Sequence, residues 1–343
     1  MNKIKRIIFL FLYFLLSLIF IFGSLELFLR INKNFGYINQ SFKLLKNEES
    51  EAKYFPIHHY RPSKLLGYEY IPNSKFGNFS INSYGLIGKE YNLKKDKDIF
   101  RILLLGDSIA AQHWSCLYLE ELLNKDYELK EKYKRFEIWN AGTGSYDVRR
   151  YALFLKYRGL KFNPDMILIF LFMNDLYPDL NIYYKTKNGA VAYYFPLSEI
   201  SKKYSVNPFL LKHSYLYRFV ILRLNQYLLN KKLSSNNYRI EEGVYYLNII
   251  KEICENNKIK LLIVVFPYLK KLTDYEKWQK EQYNDILTAL NFLKLPYINL
   301  YDFLPEENLI NLRVDDDIHP NEEGHKIIAK IIYNYILKYK LIE

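Results

Sequence analysis

A chain of 343 residues, half of them hydrophobic, is long enough for one membrane segment and one soluble domain of roughly 250 residues. The formal net charge is +12, but the cations alternate with acids, as at Lys125-Asp126 and from Glu128 to Lys134. No Lys/Arg block or nucleic-acid motif stands out, so the charge reads as a solvated surface and not as a nucleic-acid interface. The two cysteines, Cys116 and Cys254, exclude a disulfide framework, and no Cys/His spacing suits zinc. Two buried free thiols are expected, a single bridge being the alternative.

Lys3, Lys5 and Arg6 precede an unbroken apolar run from Ile7 to Phe22 that continues towards Leu25. A membrane-spanning helix needs about 20 such residues. The leading cations predict a cytoplasmic N-terminus and an extracytoplasmic remainder. A cleaved signal peptide would begin the same way, but only Gly23-Ser24 resembles a cleavage site, so an uncleaved signal anchor over residues 1–30 is the reading. Residues 31–98 read as an irregular N-terminal extension with turns at Gly67, Pro72, Asn73, Gly77, Gly85 and Gly88.

From residue 99 onward the pattern alternates between strand and helix. Ile102 to Leu105, Phe136 to Trp139, Met166 to Phe172, Ile259 to Phe266 and Tyr297 to Leu300 are short apolar runs of the kind buried parallel strands show. Helices are predicted over Leu117–Lys134, Val148–Tyr157, Ile240–Asn256, Asp274–Phe292 and Glu322–Tyr339, the last with an apolar stripe of Ile327, Ile328, Ile331, Ile332, Tyr335 and Ile336. This alternation implies a parallel sheet covered by helices on both faces, with ligands at the carboxyl ends of the strands. The stretch from about 176 to 237 is too long for a simple connection and reads as an insertion, partly helical, within a domain spanning 99–343.

Four polar motifs fall at those strand ends. Gly106-Asp107-Ser108 follows the first strand and puts a serine at a strand-to-helix turn, where backbone N–H groups can face an oxyanion. Asn140-Ala141-Gly142-Thr143-Gly144-Ser145 follows the second, and its glycines permit a tight loop with a free N–H. Met173-Asn174-Asp175 follows the third, with an amide able to donate to developing negative charge. Asp316-Asp317-Ile318-His319-Pro320-Asn321 precedes the last helix and supplies a base with an acceptor three residues before it. Each motif alone has an ordinary structural reading as a cap or a turn. His325 reads as a helix residue, and His58, His59, His113 and His213 have no comparable partners in the sequence.

Taken together and in this order, the blocks resemble those of the SGNH/GDSL hydrolases (lipases and acylhydrolases), specifically a membrane-anchored bacterial type, over roughly residues 100 to 335. The resemblance implies an α/β fold: a flavodoxin-like three-layer α/β/α sandwich with a central parallel sheet, here preceded by a transmembrane helix. It implies Ser108 as nucleophile, His319 as base and Asp316 as its orienting partner. The oxyanion hole would take Ser108, Asn174 and a backbone N–H of the Asn140 block. The family's glycine there commonly sits five residues after the asparagine, which is Ser145 in this chain; Gly144 is the expected donor and Ser145 the alternative. The family's glycine two residues before Asn174 is replaced by Phe172. No metal or organic cofactor is implied. The expected activity is serine esterase chemistry through an acyl-serine intermediate, on O-acyl groups of cell-envelope carbohydrate. An O-acyltransferase with the same triad and a non-catalytic envelope scaffold are the alternatives. The one-residue likeness of Gly106 to Ala110 to the Gly-x-Ser-x-Gly elbow of α/β-hydrolases is set aside, because Asp316 and His319 three residues apart do not suit that fold.

Overall fold

The computed structural model describes residues 3–32, 59–177, 183–185, 191–193, 207–234 and 240–342. The chain forms two compact units, one made of Met1–Ile57 and Ile182–Tyr238, the other of His58–Asn181 and Arg239–Glu343.

The first unit contains helix α1 (Lys3–Ile31), which is long and apolar enough to cross a membrane and none of whose apolar window is buried among the described residues. The second begins with two small antiparallel hairpins, β1 (Tyr60–Ser63) with β2 (Gly67–Tyr70) and β3 (Lys75–Phe76) with β4 (Phe79–Ser80). They give short-strand structure to the part of the extension from Tyr60 onward; residues 33–58 lie outside the described residues.

The centre of the second unit is a five-stranded, all-parallel sheet. Its first strand, β5 (Ile99–Gly106), leads into the short helix α2 (Ser108–Ala111), then α3 (Trp114–Lys125) and α4 (Tyr127–Lys132). The single helix expected over Leu117–Lys134 is thus two. Asp126 adopts an extended conformation between them and accepts from the Leu129 N–H, ending one helix and capping the next. Strand β6 (Arg135–Asn140), α5 (Val148–Tyr157) and β7 (Met166–Phe172) follow. After β7 the first unit resumes with a hairpin, β8 (Tyr183–Lys185) and β9 (Val191–Tyr193), and two helices, α6 (Pro208–His213) and α7 (Tyr215–Ser234). These described pieces fall in the expected insertion, and the rest of it lies outside the described residues. Helix α8 (Ile240–Asn256), β10 (Lys260–Phe266), α9 (Lys277–Phe292), β11 (Tyr297–Asn299) and α10 (Glu322–Lys338) complete the second unit.

The strand order is β11-β10-β7-β5-β6. Every residue of β5 and β7 is buried, as helices on both faces require. The step from β5 to β6 runs one way and the step from β6 to β7 crosses back over β5. Right-handed crossovers therefore put α3 and α5 on opposite faces. The packing agrees: α10 lies against α3, and α8 lies against α5. The architecture is a three-layer α/β/α sandwich. The chain reverses direction at β5, so the crevice at the carboxyl ends of β5 and its two neighbours is the place where such a sheet binds ligands.

Arg101 interrupts the apolar character of β5, which is why the strand looks shorter in sequence than it is. Its guanidinium is fully buried 2.9 Å from Glu137 of β6, donates to the Phe162 carbonyl and lies 4.4 Å over the Trp139 ring. A buried pair with its remaining hydrogen bonds satisfied is structural.

Candidate active site

Ser108 is the first residue of α2, directly beyond the end of β5. Asp107 caps that helix by accepting from the Ile109 N–H at 2.9 Å. Burial pushes the Asp107 carboxyl above its ordinary range. Its Oδ2 lies 3.2 Å from Ser108 Oγ, while His319 Nε2 lies 2.8 Å from the same oxygen. His319 Nδ1 is 2.8 Å from Asp316 Oδ2. A carboxylate only accepts, so Nδ1 carries the proton and Nε2 is left to accept from the serine hydroxyl. The other Asp316 oxygen accepts from the Ile318 N–H at 2.9 Å and the His319 N–H at 2.7 Å. Partial burial opposes ionisation of Asp316, but these bonds outweigh it and hold its carboxyl below the usual range.

The loop bearing His319 is closed on both sides. Val314 N–H donates to the His319 carbonyl, Leu269 N–H donates to the Asp317 carbonyl, and Asn321 caps α10 through Gly324. A further tie was not legible in the sequence. Gln112, just past the Ser108 turn, donates to the Pro320 carbonyl at 3.2 Å and accepts from His325 Nε2 at 3.0 Å. His325 Nδ1 in turn accepts from the Ser115 hydroxyl at 2.7 Å. His325 is a helix residue, as expected, and is fully buried; that burial brings its pKa down to about 4 and keeps the ring neutral.

Asn140 ends β6, opposite Leu104 of β5. Its Oδ1 accepts from Gly142 N–H at 2.8 Å, and its Nδ2 donates to the Ala110 carbonyl and to His113 Nδ1. His113 therefore has a partner that the sequence did not reveal. It is buried, with its pKa lowered to about 4 by desolvation and by nearby Lys89, and it takes a left-handed φ of 65°. Gly142 is held so close to α2 that a Cβ there would lie 2.5 Å from the Ala110 Cβ. Two loop residues on, the Gly144 N–H has no hydrogen-bond partner among the described residues, and the Gly144 carbonyl accepts from the Tyr68 hydroxyl at 2.6 Å. Ser145 sits at φ 62°, the region where glycine carries no steric penalty. Here a serine adopts that conformation.

Asn174 follows β7, on the other side of β5. Its Oδ1 is buried without a partner, and its side-chain amide makes no hydrogen bond among the described residues. The adjacent Asp175 is fully buried and accepts from the Phe172 N–H and the Tyr151 hydroxyl at 2.9 Å each. Burial, with the Asp107 charge nearby, raises its carboxyl well above the ordinary range. Cys116 and Cys254 are buried and free. Among the described residues no group of three or more His, Cys, Asp or Glu is arranged to hold a metal ion.

A serine, a histidine and an aspartate thus stand in one hydrogen-bonded line at the carboxyl edge of a doubly wound sheet, with donor-bearing loops after the strands on either side. The class is that of ester-hydrolysing serine hydrolases. Residues 104–327 match the GDSL-like lipase/acylhydrolase family, and the chain belongs to it. No curated protein matches the chain. Similar solved structures include an acetyl xylan esterase at 15% identity, covering 69% of this chain and 100% of that one with a TM-score of 0.42. A GDSL-like lipase from Bacteroides thetaiotaomicron matches at 14% identity, covering 73% and 93%, with a TM-score of 0.40. An acetylxylan esterase from Geobacillus stearothermophilus matches at 14% identity, covering 69% and 94%, with a TM-score of 0.44.

Proposed function

We propose that the protein is a membrane-anchored esterase that removes O-acyl groups through an acyl-Ser108 intermediate. Ser108 Oγ attacks the acyl carbonyl while His319 Nε2 takes its proton. Asp316 holds the Nδ1 proton and stabilises the imidazolium that results. Charge developing on the carbonyl oxygen meets the N–H groups of Ser108 and Gly144 and the Asn174 amide. The tetrahedral intermediate collapses, and the alcohol leaves with the proton held by His319. Water then attacks the acyl carbonyl as Nε2 takes its proton, and collapse breaks the acyl–Oγ bond while Nε2 returns that proton to Ser108 Oγ, releasing the acid.

The observation that carries this reading is the unbroken line from Ser108 Oγ to His319 to Asp316, with 2.8 Å at both contacts. The oxyanion assignment draws support from two donors without a partner among the described residues, the Gly144 N–H and the Asn174 amide. Helix α1 acts as a signal anchor, with Lys3, Lys5 and Arg6 on the cytoplasmic side and the hydrolase domain outside. A domain tethered there reaches acyl esters of the cell envelope, and acylated envelope carbohydrate is the substrate class proposed.

The test is hydrolysis of a short-chain aryl ester by the full-length protein in detergent, beside Ser108→Ala, with acetate release from O-acetylated glycans as the second assay. Activity abolished by Ser108→Ala, together with labelling of Ser108 by a fluorophosphonate, supports the reading. A wild-type protein that neither turns over esters nor reacts with the fluorophosphonate refutes it.

A further inference from the structure

The spanning helix does not end freely. The 19 residues from Ile7 to Leu25 carry no charge, and Glu26 is the first acid of the chain. At 1.5 Å per residue that stretch covers roughly 28 Å, about the thickness of a bilayer's hydrocarbon core. A carboxylate has to lie at the edge of that core or beyond it, so Glu26 marks the outer boundary of the span. There it receives the start of α7. Glu26 accepts from the Tyr215 N–H at 2.9 Å, the Leu216 N–H at 2.8 Å and the Ser214 hydroxyl at 2.9 Å. Arg30 pairs with Glu26, donates to the His213 carbonyl at 2.7 Å and lies over the Tyr215 ring. Leu29 and Tyr215 are buried together beneath Leu216 and Phe219. Four protein donors on one carboxylate fix the beginning of α7 at the depth of the lipid headgroups.

From that point α7 carries an apolar stripe at the spacing of one helix face. Val220 is 51% exposed, Leu224 38% and Tyr227 62%. Phe209 and Leu210 of α6 are exposed as well. The stripe is exposed and none of α1's apolar window is buried among the described residues, so the two do not cover each other. Exposed Arg223 lies next to it in sequence, with a stem long enough to reach a lipid phosphate while its neighbours insert.

We infer that α6 and α7 form an interfacial element that lies on the outer leaflet, with Val220, Leu224 and Tyr227 in the boundary between headgroups and acyl chains. The partner is the bilayer that α1 crosses. Apolar and aromatic residues favour that depth, and cations beside them favour anionic lipid. The inference rests on the reading of α1 as a spanning helix.

The test uses the full chain in phosphatidylethanolamine/phosphatidylglycerol vesicles. With Cys116 and Cys254 replaced by Ala, single cysteines at Phe22→Cys, Leu224→Cys and Tyr245→Cys carry a nitroxide, and collision rates are measured with oxygen and with a water-soluble nickel chelate. Tyr245 is an exposed residue of α8 and serves as the aqueous reference. The expected result is an oxygen-to-nickel ratio at residue 224 several-fold above that at 245 and below that at 22. An aqueous ratio at 224 with a lipid ratio at 22 overturns the docking and leaves the span intact. Aqueous ratios at both positions overturn the spanning reading as well. Low access to both reagents at 224 shows that protein, for instance a second copy, covers the face, and also overturns the docking.

Discussion

Replacing Asp316 by Asn leaves the loop's shape almost untouched while reversing what the histidine faces. The asparagine oxygen can still accept from the Ile318 and His319 N–H groups, at the 2.9 and 2.7 Å now held by Asp316 Oδ1. The atom 2.8 Å from Nδ1 then becomes an amide donor. Nδ1 has to accept, the ring proton moves to Nε2, and Nε2 can no longer take the proton of Ser108. Restoring the working tautomer sets two donors against each other or turns the amide away from the backbone, and an unmade bond of that kind costs about 1–3 kcal/mol. The variant also loses the attraction between carboxylate and imidazolium. That is worth ~4 kcal/mol at 4 Å with an effective dielectric of 20, and about half as much once the exposure of Asp316 is allowed for. In the proposed mechanism the two losses together lower kcat about 10³-fold and leave KM nearly unchanged. Asp316→Ala loses the same charge but lets water accept from Nδ1, so it is expected to fall only about 10²-fold. Steady-state hydrolysis of an aryl ester by the two variants decides the matter. An asparagine variant that keeps more than about a tenth of wild-type kcat, or that outperforms the alanine variant, refutes the tautomer argument.

Asn174→Ala is expected to lower kcat by about 10²–10³ at nearly constant KM. Its melting temperature should stay unchanged, because the amide bonds to nothing in the described protein. Tyr68→Phe removes the hydroxyl that holds the Gly144 carbonyl at 2.6 Å, and a loss of about 1 kcal/mol that falls on the proposed oxyanion loop should lower kcat several-fold. A change in KM alone would place Tyr68 in substrate binding instead. Stability should also depend on His325, which has a folded pKa of about 4, against about 6.5 unfolded. Between those values the unfolded chain binds the extra proton, so acid favours unfolding. The neutral ring's contribution is fully present above about pH 6.5 and is lost, by at most about 1.4 kcal/mol per unit, as pH falls towards 4. Buried Asp107 and Asp175, with raised pKa values, act in the opposite sense. The informative quantity is therefore a difference: His325→Gln should show a shallower fall in melting temperature from pH 7 to 5 than wild type, and equal slopes would contradict the assignment.

What could be read from sequence follows from how far apart the cooperating residues lie. Met166–Phe172 is a strand from end to end because both its faces are buried and every residue is apolar. β5 begins three residues before its apolar run, because the charge on Arg101 is answered by Glu137, on another strand. The break at Asp126 is a capping residue inside an otherwise helical pattern. At the site, Asp316 and His319 are three residues apart, and their hydrogen bond needs only one loop. The bonds from Tyr68 to Gly144, from Ser115 to His325 and from Gln112 to His325 join residues separated by 76, 210 and 213 positions. Gln, Ser and Tyr are ordinary residues in those places, and nothing local marks them.

Those long-range ties explain how a serine on so short a helix holds its place. Helix α2 has four residues, far fewer than the 12–15 or so that an isolated helix needs even to be marginal in water. Its position is imposed from outside. Asn140 grips the Ala110 carbonyl, Gly142 packs against Ala110 without a side chain, and Gln112 ties the following residues to Pro320 beside His319. Ser108 and His319 come from opposite ends of the domain, and their 2.8 Å contact is kept by the same strut that links α3 to α10 through Ser115, His325 and Gln112. A substitution at His325 therefore acts on the serine–histidine distance without touching either residue.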